Sequence, residues 1–181
     1  NVFYCFLTQV SSASHIDMYN TIYNLVMFLM VLTIKFLALF KEKMYYREKG
    51  SKRTWEKLSS ADKNASYIWI HAASLGEFEQ GRPIIEAIKE KNSQCKILLT
   101  FFSSSGYEVR KKYPLADIVC YLPIDTPRNA KRFINSIEIE KVIFIKYEFW
   151  RNILSQLYKK KIPTYLVSSI FRENQLFFKP Y

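Results

Sequence analysis

From residue 67 onward, two patterns of apolar residues alternate along the chain. Short runs rich in β-branched and aromatic residues predict buried strands, and segments with apolar residues every three or four positions predict helices with one covered face. The predicted strands are 67–72, 96–102, 117–121, 141–146 and 164–168, with helices near 79–92 and at 106–112, 127–135 and 149–159. This alternation predicts an α/β domain over residues 67–181, with a parallel sheet and helices on both faces.

The helix near 79–92 illustrates the amphipathic pattern. Pro83 suits the first turn of a helix, where its missing N–H has no intrahelical partner. An apolar stripe follows, formed by Ile84, Ile85, Ala87 and Ile88. We therefore expect a helix with Pro83 in its first turn and this stripe against the sheet.

A longer apolar run at residues 18–40 differs from the rest of the chain. From Tyr19 to Phe40 its one charged residue is Lys35, and its length matches the hydrocarbon core of a bilayer. Cations follow it, namely Lys41, Lys43, Arg47, Lys49, Lys52 and Arg53. By the positive-inside rule, we expect a single-pass membrane anchor, with the rest of the chain in the cytoplasm. A buried or interface-lying helix remains the alternative, and a cleaved signal peptide is disfavoured because the cations follow the run.

The segments around the apolar run show weaker sequence patterns. Residues 1–17 form a poorly defined extension, and Met18 is a plausible natural start. Residues 41–66 are basic and polar, which predicts a juxtamembrane linker or helix. The aromatic residues at 177–181 follow the last predicted strand with nothing to pack against, so we expect a second half of the protein to be missing here.

The composition of the chain indicates an anionic binding partner. Among 181 residues, 27 Lys and Arg face 16 Asp and Glu, for a net charge of +11. Such an excess suits nucleic acid, phospholipid headgroups or a phosphorylated substrate. Cys5, Cys95 and Cys120 are too widely spaced for a zinc site or a disulfide framework, which favours a reducing compartment. We expect no metal and no cofactor, because metal-ligand spacings and glycine-rich nucleotide motifs are absent from the sequence.

The loop after the first predicted strand carries the first candidate for chemistry. Ser74 and Gly76 are small, so a ligand can approach the backbone there, and Glu77 supplies the acid. Glu77 is therefore the candidate general base. The alternative is a first-turn residue that caps the following helix.

Two further loops carry polar groups. Both follow predicted parallel strands, so they are expected at the same carboxyl edge of the sheet as Glu77. Ser103, Ser104 and Ser105 form a hydroxyl-rich entry to a helix, which favours either an anion cradle or simple capping. Farther on, Asp125 or Thr126 is expected to cap a helix that begins at Pro127, and Arg128 is placed to reach an anionic ligand. Lys131 and Arg132 are expected on a solvated face.

The strand 141–146 ends in charged residues beside aromatic ones. Lys146 and Glu148 therefore suggest a site at the carboxyl edge. An ion pair of Lys146 with Glu148 or Glu77 is the structural alternative. His71, inside a strand pattern, is expected to be buried and hydrogen-bonded.

Together, residues 68–83, the serine loop with Gly106, the turn at 122–127 and Tyr147-Glu148-Phe149-Trp150 resemble the 3-deoxy-D-manno-octulosonic acid (Kdo) transferases of lipopolysaccharide synthesis. The resemblance runs from Met18 to Tyr181 and covers the N-terminal half of that family with its membrane anchor. It implies a Rossmann-like domain of a GT-B glycosyltransferase. This domain would bind lipid A precursor (lipid IVA), and a C-terminal domain beyond this chain would bind CMP-Kdo.

The resemblance also implies roles for single residues. Glu77 would deprotonate the 6′-hydroxyl of the acceptor disaccharide for an inverting attack that expels CMP. Ser74, Gly76, Ser103 to Ser105, Arg128 and Glu148 would bind the acceptor. Lys146 stands where many family members carry an acid, and a cation there would stabilise the departing phosphate or the Kdo carboxylate. Without the donor domain, the isolated fragment is expected to be inactive.

Two other functions remain open at this point. One is another GT-B transferase that uses a lipid-linked sugar acceptor and a different nucleotide donor. The other is a membrane-tethered module that binds anionic lipid without chemistry. Nucleic-acid binding is disfavoured, because the cations are not interleaved with aromatic residues on one face.

Overall fold

Five parallel strands form one sheet in the computed structural model, which describes residues 13–146 and 148–168. The strands are β1 (Ser66–Ala72), β2 (Lys96–Phe101), β3 (Ile118–Tyr121), β4 (Glu138–Ile145) and β5 (Thr164–Val167). Their order across the sheet is β3-β2-β1-β4-β5, and every neighbouring pair is parallel. The predicted parallel α/β fold is confirmed.

Six helices accompany this sheet in the described residues. They are α1 (Ala13–Leu37), α2 (Glu42–Ser59), α3 (Leu75–Lys91), α4 (Ser104–Arg110), α5 (Pro127–Ile134) and α6 (Arg151–Lys159). Predictions that concern residues 1–12, Tyr147 and residues 169–181, including the aromatic tail at 177–181, lie outside the described residues.

Both faces of the sheet are buried, because successive side chains of β1 point in opposite directions. Tyr67 and Trp69 enter one core with residues of α5 and α6, whereas Ile68 and Ile70 enter a second core with residues of α3 and α4. Trp69 is fully buried, and its ring centroid lies 4.9 Å from that of Phe133. This double burial explains why the strands appear as nearly continuous apolar runs.

Helix α3 and strand β4 begin earlier than the sequence predicts. Helix α3 starts at Leu75 rather than near 79, because Ser74 and Glu77 form a capping box at its N-terminus. Pro83 therefore lies inside the helix and not in its first turn, so that prediction is wrong, and Ala87 on the predicted stripe is exposed. Strand β4 starts at Glu138 rather than 141, where a bulge shifts its register with β1.

Helix α2 covers the outer edge of β3, which would otherwise present unpaired carbonyl groups. The Thr54 hydroxyl donates to the Tyr121 carbonyl at 3.0 Å, and Lys57 Nζ donates to the Val119 carbonyl at 2.7 Å. Gly50 lies against the Tyr121 ring, where a Cβ atom would come within 2.2 Å of a ring carbon. The segment 41–66 is thus mainly a helix, and this helix is packed on the sheet.

Helix α1 contains a segment, Asp17–Leu37, that is long and apolar enough to cross a membrane. The helix begins at Ala13, inside the stretch that the sequence assigned to an N-terminal extension. Its polar residues are not distributed evenly around the axis. Asn20, Tyr23 and Asn24 form hydrogen bonds with residues that follow β3 and β4.

Candidate active site

The loops after β1 and β2 are joined at the carboxyl edge of the sheet. The Ser103 N–H donates to the Ala73 carbonyl at 2.7 Å. Gly106 allows this close approach, because a Cβ atom there would lie 2.4 Å from the Phe101 ring and 3.1 Å from the Leu75 nitrogen. The two loops that carry the predicted serine and glutamate residues therefore form one surface.

Glu77 lies in the first turn of α3 and takes part in its cap. Its Oε2 accepts from the Ser74 N–H at 3.0 Å, and its own N–H donates to the Ser74 hydroxyl at 3.5 Å. The predicted capping role is confirmed. Among the described residues Oε1 has no hydrogen-bond partner. A Cβ atom at the neighbouring, exposed Gly76 would meet nothing within 4 Å. Capping and proton transfer are therefore compatible, since they use different oxygens.

Ser103 caps α4 in a similar way. Its hydroxyl accepts from the Gly106 N–H at 3.4 Å and lies 2.9 Å from the Ser105 hydroxyl. Ser104 is half-buried and Ser105 is exposed. The capping alternative is thus confirmed for Ser103, while anion binding by this loop stays a prediction.

Glu148 is held by a hydrogen-bonded chain that crosses three strands. Its Oε2 lies 3.2 Å from His71 Nε2 and accepts from Trp150 Nε1 at 2.7 Å. On the other side of the imidazole, His71 Nδ1 lies 2.8 Å from the Thr100 hydroxyl, which also accepts from Trp69 Nε1 at 2.8 Å. His71 is fully buried, as predicted.

The chemistry of the groups in this hydrogen-bonded chain fixes the direction of some of its hydrogen bonds. An indole N–H can only donate, so the Thr100 oxygen accepts from Trp69 Nε1. The same oxygen lies within hydrogen-bond distance of His71 Nδ1, and His71 Nε2 donates to the Glu148 carboxylate, which can only accept. Glu148 is therefore fixed by two donors, and its side chain is 12% exposed.

Lys146 turns the backbone away from the sheet directly after β4. Its φ of 67° lies in the left-handed region, which a lysine seldom occupies, and its N–H donates to the Val167 carbonyl at 2.8 Å. The ion pairs in the described part of the chain do not include Lys146. The suggested pairing with Glu148 or Glu77 is wrong, because Glu148 binds His71 and Glu77 completes a cap.

Arg47 from α2 reaches the same edge, although the sequence analysis counted it only among the cations that orient the anchor. Its guanidinium donates to the carbonyls of Phe102 and Leu122, and lies 4.0 Å from the centroid of the Phe102 ring. The Phe102 ring in turn packs 4.8 Å from Trp150. Burial lowers the pKa of Arg47 to about 10, so it remains a cation at neutral pH. The buried residues of α2, Arg47, Gly50, Thr54 and Leu58, recur at helical spacing, and this signal was available in the sequence.

The turn after β3 separates the roles of Asp125 and Thr126. Thr126 caps α5, since its hydroxyl accepts from the Asn129 N–H at 3.3 Å. Asp125 is fully buried and instead accepts from the N–H groups of Asn152 and Ile153 at 2.8 and 2.9 Å. It thereby caps α6, whose own N-cap residue supplies no side-chain hydrogen bond.

The cations of α5 behave differently from one another. Arg128 is exposed and makes no hydrogen bond or ion pair with the residues that the structure describes. Arg132 is also exposed, but its guanidinium lies 4.1 Å from the centroid of the Trp55 ring, so it is not simply solvated as expected. The structure therefore leaves Arg128 available to an anionic ligand without bringing it into contact with the other candidate residues.

Within residues 13–146 and 148–168, no group of three or more His, Cys, Asp or Glu side chains is placed to hold a metal ion. Cys95 and Cys120 are free thiols. Cys120 is buried, and the loss of hydration raises the pKa of its thiol to about 12. Neither cysteine is placed in the candidate site.

The fold is that of an open parallel α/β domain, a class whose ligands generally bind in the loops at the carboxyl ends of the strands. A family model described as 3-deoxy-D-manno-octulosonic-acid transferase (kdotransferase) matches residues 41–178. The chain belongs to this family, and the resemblance stated from its motifs is confirmed.

Individual relatives match parts of the chain. The 3-deoxy-D-manno-octulosonic acid transferase of Haemophilus influenzae is 36% identical over 98 residues, which are 53% of this chain and 23% of that protein. The enzyme of the same name from Aquifex aeolicus is 34% identical over 103 residues, 56% of this chain and 28% of that protein. A bifunctional glycosyltransferase/methyltransferase of Fusobacterium nucleatum is 30% identical over 104 residues, 54% of this chain and 16% of that protein. The matched segments therefore cover 16–28% of the length of these relatives.

Proposed function

We propose that this chain is the acceptor-binding domain of a GT-B glycosyltransferase that transfers Kdo from CMP-Kdo to lipid A precursor (lipid IVA) in lipopolysaccharide synthesis. The main support for this proposal is that the family motifs lie together at the carboxyl edge of the sheet. The joined loops after β1 and β2 present Glu77 there, and the strand next to β1 presents Lys146 and Glu148. The CMP-Kdo site is proposed to lie in the remainder of the protein.

In the proposed reaction, Glu77 acts as general base through Oε1. The acceptor 6′-hydroxyl gives its proton to this carboxylate while its oxygen forms a bond to the anomeric carbon of Kdo. The bond from that carbon to the CMP phosphate breaks, the electron pair leaves with the phosphate, and the configuration inverts. A carboxylate is a far weaker base than the alkoxide of a sugar, so proton transfer is expected to accompany C–O bond formation rather than to precede it.

The other candidate residues position the acceptor and balance charge. Glu148 already uses Oε2 for His71 and Trp150, so its contact with the acceptor is assigned to Oε1. Ser74, Gly76 and the hydroxyl groups of Ser103, Ser104 and Ser105 line the same edge. Arg128 is assigned to an anionic group of the acceptor. Lys146 has no carboxylate partner in the described residues, which suits a role beside the departing phosphate or the Kdo carboxylate.

The protein is proposed to act at the cytoplasmic side of the inner membrane, with α1 as the anchor. This location suits an amphiphilic acceptor in the inner leaflet and the net charge of +11. A single crossing, as expected from composition, and an in-plane position are the two ways in which α1 can serve as an anchor.

The test compares Glu77→Gln with Glu90→Gln in the full-length protein. A glutamine at position 77 still supplies the acceptor of the capping box, so the helix start is kept while the base is lost. Glu90 is an exposed glutamate on the same helix and serves as the control. We expect Kdo transfer from CMP-Kdo to tetraacylated lipid A precursor to be lost only in Glu77→Gln, with acceptor binding kept. Equal turnover in both variants would exclude Glu77 as base. No transfer by the unaltered protein would favour another sugar nucleotide or a binding module.

A further inference from the structure

Helix α1 is attached to the α/β domain by three polar contacts on one of its faces. Tyr23 donates its hydroxyl proton to Asp125 Oδ2 at 2.7 Å. Arg151 Nε donates to Asn20 Oδ1 at 2.5 Å, and Asn152 Nδ2 donates to Asn24 Oδ1 at 2.9 Å. Positions 20, 23 and 24 adjoin one another on a helix surface, so the contacts form a single cluster.

Asp125 is the buried residue of this cluster of contacts between α1 and the domain. Its carboxylate is fully buried and accepts from Tyr23 as well as from the N–H groups of Asn152 and Ile153. A buried carboxylate requires such partners. Tyr23 and the Asn152 N–H share Oδ2, and the Ile153 N–H donates to Oδ1. Tyr23 therefore does more than touch the domain: it completes the hydrogen bonding of a buried acid.

The same face of α1 stays close to the domain farther along. Met27, Val31 and Ile34 are partly buried. Val31 and Ile34 line a small cavity with Arg47, Ser51 and Ile124, among others. Asn20 and Ile34 are separated by about 21 Å of helix, so the domain accompanies α1 over most of its length.

The opposite face of α1 is apolar and uncovered. Its large side chains are between 47% and 62% exposed, namely Ile22, Leu25, Val26, Phe28, Leu29, Leu32 and Phe36. They recur at helical spacing and form a continuous strip, which we call the apolar strip. An exposed strip of this size on one helix indicates a binding surface.

A helix that crosses a bilayer separates its ends by about 30 Å of hydrocarbon. Because the domain lies against α1 from Asn20 to Ile34, a crossing would draw polar loops of the domain into hydrocarbon, where their backbone groups find no partners. We propose that α1 lies in the plane of the bilayer surface, with the apolar strip in lipid and the face of Asn20, Tyr23 and Asn24 bound to the domain. This proposal rests on the membrane location proposed above.

Charge identifies the occupant of the apolar strip as an anionic bilayer surface. Exposed cations lie at the C-terminal end of the strip and directly after it in the chain, namely Lys35, Lys41 and Lys43. Interfacial helices combine such an apolar strip with basic residues that meet anionic headgroups. A protein surface as occupant would not require this excess of positive charge.

The arrangement has a consequence for the proposed reaction. Asp125 and Asn152 follow β3 and β4 at the same sheet edge that presents Glu77 and Glu148. An in-plane α1 attached to these residues would hold that edge close to the headgroups. The acceptor sugar could then reach Glu77 while its acyl chains stay in the membrane.

The first test is the position of the two ends of α1 relative to the membrane. Asp17→Cys and Lys43→Cys, both exposed positions, are made separately in the full-length protein after its native cysteines are replaced. Intact spheroplasts are treated with a membrane-impermeant maleimide, and lysed ones in parallel. We expect both cysteines to react only after lysis. Reaction of Asp17→Cys in intact spheroplasts would show a crossing helix and overturn the proposal, as would protection of this cysteine after lysis.

A second test reports on what covers the apolar strip. A polarity-sensitive fluorophore is attached to Leu25→Cys of the purified full-length protein, and vesicles with or without phosphatidylglycerol are added. We expect a blue shift with anionic vesicles and a smaller one with neutral vesicles. A fluorophore that is already blue-shifted without vesicles would indicate that another part of the protein or a second copy covers the strip, and would overturn the proposal.

Tyr23→Phe and Tyr19→Phe form a matched pair for the attachment itself. Tyr19 is 50% exposed and lies about one turn from Tyr23 on the same helix. Loss of the Tyr23 hydroxyl should increase proteolysis between α1 and α2 in the vesicle-bound protein, whereas Tyr19→Phe should leave it unchanged. Equal proteolysis of both variants would contradict the attachment. Kdo transfer in detergent is measured on the same samples, so failure of the proposed reaction and failure of the proposed orientation are distinguishable.

Discussion

Glu77 and Glu148 lie at the same edge of the sheet, but they are held in opposite ways. Glu77 is fixed by Ser74, three residues away, and keeps one oxygen without a partner in the described residues. Glu148 is fixed by Trp150 and by His71, a residue 77 positions earlier, which is oriented in turn by Thr100. The comparison separates a locally supported acid, suited to exchange a proton, from an acid that the tertiary structure holds in one position.

The largest expected effect concerns the acid with the free oxygen. Loss of a general base lowers turnover by about 10²–10⁴-fold, so Glu77→Gln should reduce kcat by that factor in the full-length protein. The free energy of unfolding should change little, because glutamine keeps the capping box. Initial rates and denaturant unfolding, measured on the same preparation, check both halves of the prediction. A large loss of stability with normal turnover would assign Glu77 a purely structural role.

Thr100→Val tests the long-range support of Glu148. The variant keeps the shape of the side chain but removes the partner of Trp69 Nε1 and of His71 Nδ1. Each buried group left without a partner costs about 1–3 kcal/mol. Denaturant unfolding followed by tryptophan fluorescence measures the loss. Thr164→Val on β5, where the hydroxyl makes one partly exposed bond to Ile162, is the control and should cost less. Equal losses would show that the chain through Thr100 adds no special stability.

Ser74→Ala tests the local support of Glu77. Removal of an N-cap side chain costs about 0.5–2 kcal/mol, and the 3.5 Å distance from the Glu77 N–H to the Ser74 hydroxyl favours the low end of that range. The exposed Ser93 provides a control substitution, Ser93→Ala, that should leave the free energy of unfolding unchanged. Calorimetry of both variants is the measurement. A loss as large as that of Thr100→Val would remove the distinction between local and long-range support.

The same distinction explains how much could be predicted from sequence. The parallel sheet follows from the alternation of strand and helix patterns, and the burial of His71 follows from its place in a strand. Local sequence narrowed the cap of α5 to Asp125 or Thr126, and the structure shows Thr126. The partners of Glu148 do not follow from local sequence, because they come from β1, β2 and the segment after β4. Pro83 misled the prediction of the start of α3, since its preference for a first turn was outweighed by the capping box at Ser74. The packing of α2 was not predicted, because a helix with so many charged residues is typical of a solvated segment, although Arg47, Thr54 and Leu58 recur at helical spacing.

The smallest expected effect concerns two aspartates at opposite ends of β3. Asp117 is partly exposed, and although burial opposes the shift, the Ile97 N–H, Lys96 and Lys89 lower the pKa of its carboxyl below the ordinary 3.8. Asp125 is fully buried, and loss of hydration raises the pKa of its carboxyl above 3.8 despite its three hydrogen-bond donors. The two residues should therefore give stability opposite dependences on pH.

For Asp117, the folded protein releases the proton more readily than the unfolded chain. Its stabilising contribution is complete above 3.8 and is lost as the pH falls through the lower pKa of the folded state. For Asp125, the folded protein retains the proton longer. Stability should therefore fall as the pH rises from 3.8 to the raised pKa, and then stay constant. Melting temperatures of Asp117→Asn and Asp125→Asn across this range are the measurement. Asp117→Asn should remove part of the acid sensitivity, and Asp125→Asn should remove part of the decline toward neutral pH. A decline that persists unchanged in Asp125→Asn would show that the hydrogen bonds from Tyr23, Asn152 and Ile153 fully offset the cost of burying this charge.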